Sequence, residues 1–563
     1  MSHTFLILVS TLVLTACTGV HVSPDNGHVR GLDMAEANLT KVAGDNMKQV
    51  EKAYRDEWRY NRRDQNRPPQ LCLAMSGGGM RSAAFNIGVL KGLHRAGLLD
   101  QVDVMSSVSG GGYALSWFYL QQASTGAQPK ELFDDDGRFQ QYLSNHSNLA
   151  YAYPDSPLRW FNYVWEAGKW LPSTLAHVVA NGLFDWRANL NPLRRTYENA
   201  IERIFHVSPV SVEPERDGFV NAAGFFSASA VNPEQAITFP EVRKVIEDRK
   251  LPFFVINTTV DIDDDPEHYG SEFAKTIYEF TPLWHGSDVF KKRFTEFPFS
   301  VSRAVAVSGA AHDSATTPGE KRQIFVSTTN FDLGYYIPNP GSRISDAKHI
   351  AARVLPFPFY LAIQNYRDAD GTDIYLTDGG HSDNLATFSL VRRMCGEIIV
   401  VDAEHDPEFK FQGLERLQKR LLAEMGAGFN FHDLDIKEPF DQTRPVRSGT
   451  IGSFPLQYSE TLRKNRTIAV KYLKLSIDRN RLDQQGRHDP YSPAVWEYAT
   501  PGKKGAENNG FPQQSTADIN YSRGQFLAYR DLGADMVQTY LEPLMRAVHA
   551  PQGAHVRREP LAH

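Results

Sequence analysis

Two glycine-rich turns sit at the ends of apolar runs: Ser76-Gly77-Gly78-Gly79-Met80-Arg81-Ser82 and Ser106-Ser107-Val108-Ser109-Gly110-Gly111-Gly112. The first follows Leu71–Met75 and leads into Ala83–Leu90; the second follows Val102–Met105 and leads into Tyr113–Phe118. Strand, tight glycine turn and helix, given twice, open a parallel α/β sheet. Consecutive glycines aim backbone N–H groups at one point and let a ligand approach closely. Ser109 stands where a strand-to-helix elbow exposes a hydroxyl, so the pair has the makings of an oxyanion hole beside a nucleophile. The usual elbow is G-x-S-x-G; here Ser107 occupies the first glycine position.

Other uses of such turns are limited by what surrounds them. No Gly-Lys-Ser/Thr follows the first loop and no G-x-G-x-x-G spacing occurs, which removes most of the case for a nucleotide site. A net charge of −6 with no basic stripe argues against nucleic acid. Asp261-Ile262-Asp263-Asp264-Asp265 with Glu272 partly mimics a calcium loop, but Pro266 stands where glycine is needed, so it reads as a solvated acidic loop. No metal and no cofactor is implied. Far downstream, Leu376-Thr377-Asp378-Gly379-Gly380-His381 ends a strand in a sharp turn that can direct the Asp378 carboxylate into a shared cleft.

From Leu71 to about Asp406, short apolar runs alternate with helical patterns. Strands are expected at Leu71–Met75, Val102–Ser106, Phe253–Val260, Ile374–Thr377 and Glu397–Asp402, and later helices at Leu414–Met425 and Gln525–His549. Met34 through Arg63 reads as a packing helix stopped by Asn66-Arg67-Pro68-Pro69. Cys72 and Cys395 each lie inside an apolar strand-like run, and the expectation is two buried free thiols.

These elements, in this order, resemble the patatin-like phospholipases and the related cytosolic phospholipases of the A type. Gly88-Val89-Leu90-Lys91-Gly92-Leu93, Tyr278-Glu279-Phe280-Thr281-Pro282 and Val305-Ala306-Val307-Ser308-Gly309-Ala310-Ala311 add to the match. The resemblance implies a three-layer α/β/α fold with a mostly parallel central sheet. It implies Ser109 as nucleophile, Asp378 as its dyad partner, and an oxyanion hole drawn from Gly77, Gly78, Gly79 and Gly110. Arg81 would steady the loop or meet a lipid phosphate. The implied reaction is hydrolysis of a phospholipid or other lipid ester through an acyl-serine; an acyltransferase, a general esterase and a non-catalytic lipid-binding scaffold are the alternatives. His405, His432 and His488 follow Asp378, but none sits in a recognisable strand-end loop, and His381 reads as part of the site rim rather than a triad member.

Phe5 to Ala16 is an uninterrupted run of apolar and small residues, the size of a signal-peptide core. Leu14-Thr15-Ala16-Cys17 resembles the lipobox of bacterial lipoproteins, which implies cleavage before Cys17 and lipidation of its thiol. Thr18 suits an outer-membrane destination in the cell envelope. The expected organisation is residues 1–16 as signal peptide, 17–70 as tether and helix, and 71–408 as catalytic domain with an insertion at about 125–250. Residues 409–563 form a mixed C-terminal extension. Within the insertion, Trp160, Trp165, Trp170 and Trp186 lie among other aromatic and aliphatic residues, as the core of a cap or as a face toward the bilayer.

Overall fold

Leu71-Cys72-Leu73-Ala74-Met75 is apolar at every position, and the strand it forms is buried on both faces, as the middle of a parallel sheet requires. The computed structural model describes residues 52–134 (bar 63 and 127), 237–261, 275–311 (bar 288–292 and 298–299) and 333–338. It also describes 373–452 (bar 426 and 432–439), 467–483, 491–500, 510–516 and 521–549 (bar 522). The expectations for Cys17, the signal segment, Trp160–Trp186, Asp263–Glu272, His432 and His488 lie outside these residues.

The strands are β1 (Leu71–Met75), β2 (Val104–Val108), β3 (Phe253–Asp261), β4 (Lys275–Phe280), β5 (His285–Gly286) and β6 (Tyr335–Pro338). They continue as β7 (Asp373–Asp378), β8 (Glu397–Asp402), β9 (Gly428–Phe431), β10 (Val446–Gly452) and β11 (Ile468–Lys474). The sheet runs β5-β4-β3-β2-β1-β8-β11-β10-β9, with β7 on β3 and β6 on β7. Its middle, β3-β2-β1-β8-β11, is parallel throughout. The flanking pairs are antiparallel. The chain after residue 408 therefore supplies β9, β10 and β11 to the same sheet.

Neighbouring residues of a strand point to opposite faces, and β2 displays both layers. Ser107 faces α2 (Gly110–Thr125), where a Cβ on Gly112 would stand 3.8 Å from the Ser107 hydroxyl. Ser106 faces the other way and takes a 2.8 Å hydrogen bond from the Asn257 amide, whose oxygen accepts from Ser389 in the turn Phe388–Arg392. Before α2 comes α1 (Gly79–Arg95); after it come α3 (Val301–Ser308), α4 (Gln412–Met425) and α5 (Arg523–Met536). α1 and α5 meet backbone to backbone: a Cβ on Gly88 would overlap the Arg530 carbonyl, and one on Gly533 the Phe85 carbonyl. Glycine inside a helix costs about 1 kcal/mol relative to alanine, and this close approach is what it permits here.

The N-terminal helix spans 52–58 among the described residues and ends before the expected Arg63. Asp103 explains the early stop. Its carboxylate takes the N–H groups of Arg62 (3.2 Å) and Gln70 (2.7 Å), bending the chain into β1. The helix is fastened by Glu57, which shares Arg393 with Glu279 of β4 in a buried triad: Arg393 to Glu57 at 2.7 and 3.0 Å, and to Glu279 at 3.0 and 3.1 Å. Burial pushes the Glu57 carboxyl up to about 7 against the pull of Arg393. For Glu279 burial acts in the same sense, but the Arg393 charge outweighs it and the carboxyl sits below its ordinary value.

Cys72 and Cys395 are not free thiols. They form a disulfide with Cα atoms 6.1 Å apart across 323 residues of sequence. β1 and β8 pair with Leu71 opposite Glu397, so Cys395, two residues before that partner, arrives beside Cys72. Strand registry brings the pair together.

Candidate active site

β3 sets the site. β2 runs parallel along one edge of β3 and ends with Val108 opposite Asn257. β7 runs antiparallel on β3 and ends with Asp378 opposite Thr258. Two strands thus finish head to head at adjacent residues of one neighbour, and the residues that follow or end them, Ser109 and Asp378, meet. The Ser109 hydroxyl sits beside the Asp378 carboxylate and favours its charged form. Asp378 Oδ1 also accepts the Gly380 N–H at 2.6 Å. Both side chains are nearly enclosed, 7% and 4% exposed. Burial pushes the Asp378 carboxyl up to about 7; the Gly380 N–H and the Ser109 hydroxyl oppose that rise without cancelling it.

Ser109 holds φ 49° and ψ −122°, a strained conformation for a residue with a side chain. Its neighbours make the turn feasible: a Cβ on Gly110 would overlap the Gly79 carbonyl, and one on Gly111 the Met75 carbonyl. Ser107 needs no glycine, because it lies in extended β2 between Met75 and Ile256.

A serine of the small-residue segment Val305–Ala311 clamps both turns. Ser308, at the end of α3, accepts the Ser109 N–H at 2.9 Å, donates to the Asn257 carbonyl at 2.6 Å, and accepts the Gly379 N–H on its own carbonyl at 3.1 Å. The only trace of it in the sequence was the small-residue segment Val305–Ala311. Ser308→Ala is expected to lower kcat by about 10²-fold with little change in KM, and Ser308→Thr to recover most of the loss. Turnover of a chromogenic ester within twofold of wild type in Ser308→Ala would remove the clamp from the site.

The glycine loop opens α1 as Ser109 opens α2, so two helix N-termini converge on one point, where negative charge is favoured. Gly78 (φ 135°) and Gly79 (φ 59°) need glycine for their backbone. The N–H groups of Gly78, Gly79 and Gly110 donate to no acceptor among the described residues. Gly77 differs from the expectation: its N–H is already given to the Asn384 carbonyl at 2.8 Å, so it anchors the loop. The Ser109 N–H is likewise committed, to Ser308.

Arg81 is fully buried. Its guanidinium donates to the carbonyls of Ala403 (3.1 Å) and Gln514 and to the Thr516 hydroxyl (3.2 Å). Of the two roles the sequence allowed, the structure displays the brace, and the turn at 510–516 that receives it had no signal in the sequence. The described histidines stand apart from the pair. Burial, with Lys275 and Arg416, holds His381 well below its ordinary value, and its ring lies 3.5 Å from the Thr377 hydroxyl. His405 bonds the Gln514 carbonyl at 3.1 Å.

The sequence matches no protein-family model and no curated protein. Among solved structures, human GIVD cytosolic phospholipase A2 superposes with a TM-score of 0.54 at 14% identity, over 92% of this chain and 64% of that one. The chain thus spans under two thirds of that protein's length. Its complex with methyl gamma-linolenyl fluorophosphonate and terbium chloride gives 0.48 at 15%, over 93% and 64%. VipD from Legionella pneumophila gives 0.22 at 12%, over 63% and 55%. The first of these shows a shared fold.

Proposed function

We propose that this chain is a lipid acyl hydrolase of the patatin-like type that works through Ser109 and Asp378. The observation that carries the reading is the Ser109 hydroxyl set beside a buried carboxylate at the point where two helix N-termini converge. Asp378 takes the hydroxyl proton as Ser109 Oγ attacks the ester carbonyl, and the N–H groups of Gly78, Gly79 and Gly110 receive the oxyanion. An oxyanion donor of this kind is worth about 10²–10³ in rate. The alcohol leaves with the proton held by Asp378, and water then releases the acid from acyl-Ser109. An ordinary aspartate is a weak base for serine; burial is what brings Asp378 near neutral pH.

Phospholipid is the favoured substrate class because the lipobox-like segment at Cys17 would hold the enzyme at a bilayer. The Cys72–Cys395 disulfide supports an oxidising compartment such as the bacterial envelope. The test is labelling by a fluorophosphonate in mixed micelles. Wild type is expected to label in the membrane fraction, Ser109→Ala not at all, and Cys17→Ser in the soluble fraction. Equal labelling of Ser109→Ala would end the catalytic reading, and membrane retention of Cys17→Ser would end the anchoring.

A further inference from the structure

Asn384 belongs to none of the motifs that the sequence singled out, yet its side chain stands between the two catalytic turns. A Cβ built on Gly77 would overlap Asn384 Oδ1 and lie 3.3 Å from Ser109 Cβ. A Cβ built on Gly380 would lie 2.5 Å from Asn384 Oδ1 and 2.9 Å from Asp378 Oδ1. The amide oxygen therefore sits within a few ångströms of both nucleophile and base, in space that two glycines leave clear.

Its orientation is fixed from behind. Asn384 Nδ2 donates to Glu404 Oε1, so Oδ1 turns toward the catalytic turns. Glu404 is itself nearly enclosed, and its carboxylate fills the space a Cβ on Gly413 would take, in the first turn of α4. A helix N-terminus is a favourable seat for that charge. Asn384 Oδ1 accepts no hydrogen bond from the described residues, which leaves a neutral acceptor open beside Ser109.

We infer that Asn384 is a third catalytic side chain, one that holds the water that hydrolyses acyl-Ser109. The inference rests on the function proposed above. One water proton passes to Asp378 as the oxygen attacks the acyl carbonyl carbon, while the other O–H donates to Asn384 Oδ1. Collapse of the tetrahedral intermediate breaks the bond from carbon to Ser109 Oγ, Asp378 returns its proton to Oγ, and the carboxylic acid departs. An amide oxygen suits this place because it orients the water without competing for its proton.

The test separates acylation from deacylation with a 4-nitrophenyl ester in the full-length protein. Asn384→Leu keeps the main-chain carbonyl that anchors Gly77, so the burst rate and fluorophosphonate labelling are expected within about threefold of wild type. Steady-state turnover is expected to fall about 10²-fold, with acyl-enzyme accumulating by intact mass. Glu404→Ala is expected to lose about tenfold in the same step, and Glu404→Gln, which still offers an oxygen to Nδ2, to recover it. Normal deacylation in Asn384→Leu, or equal loss of burst and turnover, overturns the inference while wild-type labelling keeps Ser109 as nucleophile. A wild type that neither bursts nor labels overturns the proposed function itself.

Discussion

Asp378→Asn is expected to abolish ester hydrolysis and, at alkaline pH, to raise the melting temperature. Loss of a general base costs about 10²–10⁴ in rate. The stability effect follows from the carboxyl's rise from 3.8 to about 7. Because the folded value lies above the unfolded one, the folded protein keeps the proton that the unfolded chain has already lost between about pH 4 and pH 7. Stability tied to this group is therefore fully present below pH 4 and lost as pH climbs through 7, by about 4 kcal/mol at the upper end. Asparagine never ionises and keeps an oxygen for the Gly380 N–H. Its advantage over wild type should appear at pH 8 and vanish near pH 4, as read by thermal melts at both pH values. Wild-type activity should rise with pH through about 7 as the base ionises. A variant that melts below wild type at pH 8, or one that keeps a tenth of the activity, would contradict this account of the site.

The second large effect is structural. Arg393→Met should destabilise the protein by about 3–5 kcal/mol, because it leaves Glu57 and Glu279 buried without their shared cation. The loss should be largest at pH 8 and smaller at pH 5. At pH 8 both carboxyls would be charged and unpaired; at pH 5 they can take up protons and become neutral. Glu57 already lies near 7 with the guanidinium present. Denaturant melts at the two pH values check the sign, and proteolysis at residues 52–62 should accelerate as the N-terminal helix loosens. Equal stability at both pH values would mean that the triad carries no net charge cost.

Much of the centre was legible because it is written in short-range chemistry. A run buried on both faces, as in Leu71–Met75 or Ile398–Val401, has one reading, and positive φ at Gly78 and Gly79 is what consecutive glycines announce. Ser109 and Asp378 stood out as candidates because each lies at a strand end in a glycine turn. What stayed hidden depends on long-range registry. Nothing local to Cys72 and Cys395 says that β1 and β8 pair, so the disulfide was missed. Ser308, Asn384 and Thr516 are small polar residues of ordinary appearance, and their importance comes from what the fold sets against them. Gly77 was misread for the same reason: its acceptor is the carbonyl of a residue about three hundred positions away.

The contact between Gly88 and Arg530 has a consequence for the order of events in synthesis. α1 carries the glycine loop at its start and rests its middle on α5, while Arg81 reaches the turn at 510–516. Ser109 leaves the ribosome early, but supports of the glycine loop beside it come more than four hundred residues later. A nascent chain stopped before residue 510 carries Ser109 and Asp378 with the Ala403 carbonyl alone of the three acceptors that hold Arg81. Synthesis of residues 510–536, rather than appearance of Ser109, sets when this site can assemble.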